Sequence, residues 1–261
     1  MREYKPKIVF IGCGNLATHL SQALLNEGEC HILQLYSRTE QSASTLSARL
    51  GQIPYTTELS DINDEADLYI CALKDSVIEE VLEKATILRG KRIVHTAGSI
   101  VATILSKFTS DYGVFYPLQS FSKMKEVDFR KIPLFIEASS QEFQNDLMAL
   151  ASRISEKNYL LDSEQRKKIH LSAVFVSNFV NHLYAIGEKM MAEAGVPFDA
   201  LLPLIEEVAE KVHTVSPQSA QTGPAIRRDE NVLTMHESML KEHPEWLLLY
   251  KELTRSIQNM K

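Results

Sequence analysis

The sequence predicts an α/β domain with a mainly parallel sheet covered by helices on both faces, followed by an all-helical domain. Three observations predict this architecture. Apolar strand-like runs alternate with helical patterns up to position 162, which is typical of a parallel sheet. A glycine-rich turn joins the first run to the first helix. Beyond position 162 only helical periodicity recurs. We therefore expect two domains, 1–162 and 163–261.

The first domain contains candidate strands that are short apolar runs bounded by polar or turn residues. They are Lys7–Ile11, Ile32–Tyr36, Leu68–Leu73, Arg92–His95, Val114–Tyr116, Leu134–Glu137 and Tyr159–Leu161. Helical patterns at Thr39–Leu50 and Ser76–Leu88 separate the early strands. The connections become irregular after Phe115, which leaves room for an antiparallel edge strand.

The second domain opens with a proline-free helical pattern over Ser163–Ala194, with Ser163 as its predicted N-cap. Such a helix is ~50 Å long, and Gly195-Val196-Pro197 ends it. Three further helices are predicted at Phe198–Thr214, Arg228–Glu242 and Pro244–Met260. The long helix is apolar over much of its circumference, so we expect a homodimer that buries this surface through the helical domain.

Composition excludes several classes of protein. The chain has 261 residues, a net charge of −6 and an isoelectric point near 5.8, which argue against a nucleic-acid-binding surface. No apolar run approaches ~18 residues, so no membrane span is expected, and Met1–Lys7 lacks a signal sequence. Three widely spaced cysteines indicate reduced thiols in a cytoplasmic protein. Metal-ligand spacing is absent.

The glycine-rich turn reads Gly12-Cys13-Gly14-Asn15-Leu16-Ala17 and follows the apolar run Ile8–Ile11. This strand, turn and helix start predict the phosphate cradle of a dinucleotide-binding fold. Gly12 permits the tight turn, and Gly14 lets the backbone approach a pyrophosphate. The helix N-terminus then presents free N–H groups to the phosphates. The alternative is an ordinary glycine turn.

The end of the second predicted strand indicates which dinucleotide binds. NAD-selective folds usually place an acidic residue there to bind the ribose 2′-OH, whereas this strand is followed by Ser37 and Arg38. A hydroxyl and a guanidinium suit a 2′-phosphate, which favours NADP. The alternatives are a solvated arginine at a helix start, or Glu40 as the acidic residue if the strand ends later.

Two further loops follow predicted strands at the edge where open α/β sheets bind ligands. Leu73-Lys74-Asp75 and Thr96-Ala97-Gly98 are therefore candidates for contacts with the nicotinamide side of the cofactor. Asp75 could instead be the N-cap of a helix that starts at Val77, and Gly98 could be a plain turn.

Four stretches resemble one bacterial branch of the 6-phosphogluconate dehydrogenase-like superfamily, which includes pyrroline-5-carboxylate reductase, 3-hydroxyisobutyrate dehydrogenase, prephenate dehydrogenase and deazaflavin-dependent NADP reductases. They are His95–Ser99, Phe115–Phe121, His170–Phe179 and Thr222–Asp229. The last resembles the branch's T-G-P-x-x-R-G-D motif, with Arg228 in place of the glycine. The resemblance implies a Rossmann-like domain before a helical domain of unknown function. It also implies an NADP-linked oxidoreductase, usually dimeric, with its active site between the domains.

Polar residues on the long helix are the candidates for chemistry. His170, Ser177, Asn178, Asn181 and His182 fall within one broad arc of an otherwise apolar helix. We predict that His170 and Asn178 face the nicotinamide and hold or protonate the substrate. The alternative is a histidine hydrogen-bonded at an interface. The catalytic lysine of 3-hydroxyisobutyrate dehydrogenase has no counterpart, since the helix lacks lysine between Lys168 and Lys189.

A turn at Thr222-Gly223-Pro224 precedes Arg227 and Asp229. Arg227 is a candidate for binding a carboxylate or phosphate of the substrate; the alternative is a structural Arg227–Asp229 pair. Ser120, Ser122 and Lys123 are interpreted as an exposed loop rather than as catalytic residues.

Taken together, these residues predict an NADP-dependent oxidoreductase that acts on a small imine, carbonyl or hydroxy substrate. Two alternatives remain open at this point. One is a non-catalytic NADP-binding sensor or regulatory protein, and the other is a deazaflavin-linked NADP reductase.

Overall fold

The computed structural model describes residues 5–28 and 30–260. The segment 1–4, part of the stretch predicted to lack a signal sequence, lies outside these residues. An eight-stranded sheet has the order β3-β2-β1-β4-β5-β6-β7-β8. The strands are β1 (Lys7–Ile11), β2 (His31–Tyr36), β3 (Tyr55–Thr56), β4 (Leu68–Cys71), β5 (Ile93–His95), β6 (Tyr112–Pro117), β7 (Leu134–Ala138) and β8 (Asn158–Leu160).

All seven predicted strands are present, and the structure contains one strand that was not predicted, β3. Every neighbouring pair is parallel except β6 and β7, which are antiparallel. Because β8 is parallel to β7, both β7 and the edge strand β8 run antiparallel to β1–β6, as expected for an edge strand after Phe115. This confirms the α/β fold class with a mainly parallel sheet.

Helices cover both faces of the sheet, since β1 is buried on both. Ile8 and Phe10 pack into one apolar cluster, and Val9 and Ile11 pack into another on the opposite face. The helices of this part are α1 (Asn15–Asn26), α2 (Glu40–Arg49), α3 (Ile78–Lys84) and α4 (Gln141–Ile154). The helix predicted over Ser76–Leu88 is wrong in extent: α3 is flanked by short 3₁₀ turns at Asp75–Val77 and Thr86–Leu88.

One long helix spans Ser163–Glu193 and comprises α5 (Ser163–Ala173), a π-helical stretch (Val174–Phe179) and α6 (Val180–Glu193). The predicted N-cap, Ser163, is wrong by one residue. Asp162 is the cap, and it forms a capping box with Gln165. The Ser163 hydroxyl instead bonds to the Glu137 carboxylate and accepts from the backbone N–H of Ala102.

The chain divides into two compact units, 1–177 and 178–261. The last strand ends at Leu160, before the domain boundary predicted between residues 162 and 163. The boundary between the compact units lies later in the chain, because α5 packs against the sheet through Arg166 and His170 and so belongs to the first unit. The second unit contains α6, α7 (Leu202–Lys211), α8 (Pro224–Arg227), α9 (Glu230–Met239) and α10 (Pro244–Gln258). It is all-helical over the described residues, as predicted.

Arg228 adopts the left-handed conformation, with φ of 53° and ψ of 44°. Side chains other than glycine rarely adopt it, because the Cβ crowds the backbone. The conformation explains why the motif that this stretch resembles carries glycine there.

Within the described residues, one helix, Ser163–Glu193, is apolar and long enough to cross a membrane, with a mean hydropathy of 1.2 over its most apolar window. The sequence analysis predicted no span. A single helix of this length and hydropathy is weak evidence for a membrane span, because a helix whose apolar face packs against another protein has the same composition.

Candidate cofactor site and active site

A pocket of about 690 Å³ lies at the carboxyl ends of β1, β2 and β4. The sheet order places β1 between β2 and β4, so the three loops that follow these strands meet at one edge. Eight of the predicted cofactor-binding residues line this pocket. They are Gly12, Cys13, Gly14, Asn15, Ser37, Arg38, Leu73 and Lys74.

The two glycines of the turn differ in the space around them: a side chain on Gly12 would meet the protein, whereas one on Gly14 would not. Gly12 has φ of 110°, and a Cβ built on it would lie 2.4 Å from the Ala72 carbonyl oxygen, so the protein itself requires glycine here. Gly14 has φ of −78°, and a Cβ built on it would meet no protein atom within 4 Å. Gly14 therefore leaves open space where a ligand can approach the backbone.

The N-terminus of α1 is open to an anion. Gly14 is its N-cap and offers no side-chain hydrogen bond, and no acidic residue lies in the first turn. The uncapped N–H groups and the positive end of the helix dipole thus favour a phosphate. Cys13 is an unreactive thiol. Its Sγ donates to the Tyr36 carbonyl oxygen at 3.5 Å, and burial raises the pKa of the thiol to about 11.

The loop after β2 carries the residues predicted to bind a 2′-phosphate. β2 ends at Tyr36 as predicted, Ser37 is buried directly after it, and Arg38 is exposed at the pocket wall. The alternative that used Glu40 is not supported, because Glu40 begins α2 and accepts a hydrogen bond from the Tyr55 hydroxyl. Lys84 also lines the pocket and forms an ion pair with Glu80 at 2.6 Å.

Five predicted cofactor residues are not part of this pocket. Leu16 packs against the apolar core, and Thr96 and Ala97 are buried. Asp75 does not cap a helix, since α3 begins at Ile78 with Val77 as its N-cap; its carboxylate accepts a hydrogen bond from the Ser99 hydroxyl. This bond links the pocket-lining loop after β4 to the loop after β5.

Gly98 belongs to a second cluster, which the loop after β5 forms with β6 and α5. The Tyr116 hydroxyl lies 3.0 Å from Nδ1 of His170. A Cβ built on Gly98 would lie 2.5 Å from that nitrogen and 2.8 Å from Cζ of Tyr116, so only glycine lets the two side chains meet here. Gly98 is therefore more than a plain turn.

The electrostatics of this cluster keep Tyr116 protonated. Tyr116 is 8% exposed, and burial raises its pKa to about 12 although the nearby Arg166 partly opposes the shift. A neutral hydroxyl in hydrogen-bond contact with an imidazole can donate a proton and be reprotonated. The sequence analysis missed Tyr116.

Arg166 is a buried cation that fixes the loop after β5. Its guanidinium donates to the Glu137 carboxylate, to the Ile100 carbonyl and, at 3.2 Å, to the Ser163 hydroxyl. A buried charge with this set of partners is compensated rather than isolated. The network ties α5 to β7 and to the loop that contacts His170.

His95, at the end of β5, is fully buried, and its Nδ1 accepts from the Ala97 N–H at 3.1 Å. Burial and the adjacent Arg166 lower its pKa to about 4, so its neutral ring stabilises the fold above pH 6.5 and this contribution is lost as the pH falls towards 4. We expect the free energy of unfolding to fall by about 2 kcal/mol between pH 7.5 and pH 5 from this group.

Urea unfolding at the two pH values measures this loss. His95→Asn, whose amide oxygen can accept from Ala97, should abolish the His95 part of the loss, while His31→Asn at an exposed position should not. An unchanged pH dependence in His95→Asn would contradict the assignment.

The other two predicted catalytic residues lie in the second unit. Asn178 is exposed in the π-helical stretch, and Arg227 is exposed at the end of α8. The alternative Arg227–Asp229 pair is not observed among the described residues; Asp229 caps α9 by accepting from the N–H of Val232. The convergence of His170, Asn178 and Arg227 remains a prediction.

The described part of the chain contains no cluster of His, Cys, Asp and Glu residues suited to a metal. Residues missed by the sequence analysis but lining the pocket include Ser42, Lys84 and Lys123. Lys123 does lie in an exposed loop with Ser120 and Ser122, as interpreted from the sequence, and it also lines the pocket.

Two family sequence profiles match the chain. Residues 7–99 match the family described as "NADP oxidoreductase coenzyme F420-dependent", and residues 132–257 match the domain of unknown function DUF2520. No match was found among curated proteins.

Solved structures extend the comparison. A candidate NADP oxidoreductase from Bacteroides fragilis is 50% identical, with 98% of this chain and 99% of that chain covered and a TM-score of 0.92. A reductive aminase from Aspergillus terreus, solved with NADPH and ethyl-5-oxohexanoate, shares the fold at 16% identity, 97% and 93% coverage and a TM-score of 0.72. A pyrroline carboxylate reductase from Plasmodium falciparum, solved with NADP, does so at 10% identity, 97% and 98% coverage and 0.61.

Proposed function

This chain belongs to the NADP oxidoreductases that carry a C-terminal DUF2520 domain, and we propose that it transfers a hydride between NADP and a small imine, carbonyl or hydroxy substrate. The observation that carries the proposal is a nucleotide-sized pocket and a partly buried tyrosine–histidine pair that lie within one compact unit and are joined by the Ser99–Asp75 hydrogen bond. The pocket follows β1, β2 and β4, and the pair is Tyr116 and His170.

The pocket residues match the chemical groups of NADP and the order in which those groups follow one another along the cofactor. We assign the pyrophosphate to the open space at Gly14 and the uncapped start of α1, and the 2′-phosphate to Ser37 and Arg38. The loop Leu73-Lys74 then flanks the nicotinamide side. NADPH, when bound, supplies the hydride.

The proton comes from the chain. Reduction of a C=O or C=N bond leaves charge on oxygen or nitrogen, which a positioned acid must neutralise. In our proposal the Tyr116 hydroxyl donates this proton, and the imidazolium form of His170 returns one from Nδ1 to the phenolate oxygen across the 3.0 Å contact, which leaves a neutral imidazole that takes up a proton from solvent before the next turnover. Asn178 and Arg227 remain candidates for holding the substrate.

The substrate class is supported by analogy. The reductive aminase that shares this fold was solved with a keto ester, and the pyrroline carboxylate reductase with NADP. Fold similarity at such identities does not fix a reaction, so a C=N or C=O substrate is our proposal for this chain.

Oxidation of NADPH tests the proposal. Purified protein is mixed with NADPH and a panel of cyclic imines, ketones with and without amines, and coenzyme F420, and absorbance at the nicotinamide band is followed. We expect turnover with an imine or carbonyl compound. Tight NADP binding without any turnover favours the sensor, and turnover with coenzyme F420 alone favours the deazaflavin-linked reductase; either result overturns the proposed substrate class.

We also propose that the protein is a cytoplasmic homodimer associated through its helical domain. Leu171 is 57% exposed and Val176 is 75% exposed on the long helix, and apolar side chains so placed gain from burial in a partner. Neither Cys13 nor Cys71 is part of a disulfide, which fits a reducing compartment. Light scattering at micromolar concentration should give twice the 29.5 kDa of one chain; a monomer would contradict the dimer.

A further inference from the structure

We infer that Lys123 binds the cofactor's pyrophosphate and is held at the glycine turn by a strap formed by residues 119–125. This inference rests on the proposed NADP site and adds a cation that the glycine motif does not supply. The strap follows β6, in a different part of the sequence from the turn.

The strap is anchored to the first helix of the cofactor site. Nδ2 of Asn15 donates to the Phe121 carbonyl at 3.0 Å, and Nε2 of His19 donates to the Ser122 carbonyl at 2.8 Å. The rings of His19 and Phe121 stack with their centroids 5.4 Å apart, and His19 is buried. The backbone just before Lys123 is therefore fixed relative to α1.

From this backbone the Lys123 side chain reaches the turn itself. Its Nζ donates to the Cys13 carbonyl at 3.2 Å, and Lys123 lines the same pocket as Gly12 and Gly14. A carbonyl satisfies only one of the three donors of an ammonium group. The other donors are free to bind an anion that enters the open space at Gly14.

The charges around the pocket favour a dianionic diphosphate. Four cations line it, Arg38, Lys74, Lys84 and Lys123, against the single carboxylate of Glu80, which is paired with Lys84. The chain as a whole has a net charge of −6, so the positive pocket is a local property. Arg38 is assigned to the 2′-phosphate, whereas Lys123 contacts the turn itself through the Cys13 carbonyl oxygen.

Calorimetric titration of NADP, NAD and adenosine 2′-monophosphate tests the inference, since only the first two carry a pyrophosphate. Lys123→Met should weaken NADP and NAD binding by the same factor, about 10- to 100-fold, and leave the 2′-monophosphate unaffected. Arg38→Ala should show the complementary pattern, with losses for NADP and the 2′-monophosphate but not for NAD. Lys125→Met, on the same strap but away from the pocket, is the matched control, and Lys123→Arg should retain most of the affinity.

Two results overturn the inference while leaving the site intact: NADP binding by Lys123→Met within twofold of wild type, or a loss restricted to ligands that carry a 2′-phosphate. If the wild-type protein binds neither dinucleotide, the proposed site fails and the assignment of Lys123 fails with it. A melting temperature unchanged in Lys123→Met shows that the lost affinity does not come from misfolding.

Discussion

Gly14→Ala is expected to weaken NADP binding by about 30- to 150-fold while leaving the fold intact. The backbone at Gly14, with φ of −78° and ψ of −171°, accepts alanine without strain, and the new methyl group meets no protein atom within 4 Å. It would instead occupy the space where the pyrophosphate approaches the backbone. The steric overlap between the methyl group and the pyrophosphate should cost about 2–3 kcal/mol of binding free energy, which corresponds to this loss of affinity. Calorimetric titration measures the affinity.

Gly12→Ala provides the contrast within the same motif. Its φ of 110° and the 2.4 Å approach to the Ala72 carbonyl oxygen make this substitution a folding defect. The melting temperature should therefore fall in Gly12→Ala and stay at or slightly above the wild-type value in Gly14→Ala. Wild-type affinity for NADP in Gly14→Ala would place the pyrophosphate elsewhere.

Tyr116→Phe is expected to lower kcat by about 100-fold or more, because it removes the proposed general acid. The KM for NADPH should stay nearly constant, since Tyr116 does not line the nucleotide pocket. Steady-state kinetics with an imine or carbonyl substrate from the panel measure both values. Stability should change by only about 1 kcal/mol, the contribution of one hydrogen bond.

Combining substitutions of Tyr116 and His170 tests the proposed mechanism more strictly than either single substitution. If Tyr116 and His170 act as one unit, His170→Asn should cost about as much, and the double variant little more than either single one. Tyr159→Phe, an exposed tyrosine on β8, is the matched control. Retention of kcat within threefold in Tyr116→Phe would remove Tyr116 from the mechanism.

Much of the fold follows from local patterns in the sequence. The buried run Ile8–Ile11 is apolar on both faces, and the structure has the strand Lys7–Ile11 with the bounds that its pattern predicts. β3 consists of only Tyr55 and Thr56, too short to give a pattern. The N-cap error could have been avoided, since Gln165 stands three residues after Asp162 and marks the capping box.

The candidate site was predictable where it is local and not where it depends on tertiary contacts. The turn and Ser37-Arg38 carry their signal in neighbouring residues, and they line one pocket. Tyr116 meets His170 from 54 positions away, and Lys123 meets Cys13 from 110. No periodicity or spacing encodes such contacts, because they arise only once β6, α5 and the strap pack around the sheet edge.

A crystal structure of the protein with NADP tests the central claim most directly. The account predicts the pyrophosphate within hydrogen-bond distance of the backbone at Gly14 and Asn15, and the 2′-phosphate against Ser37 and Arg38. Nucleotide density away from the turn, or a 2′-phosphate that contacts neither Ser37 nor Arg38, would contradict it.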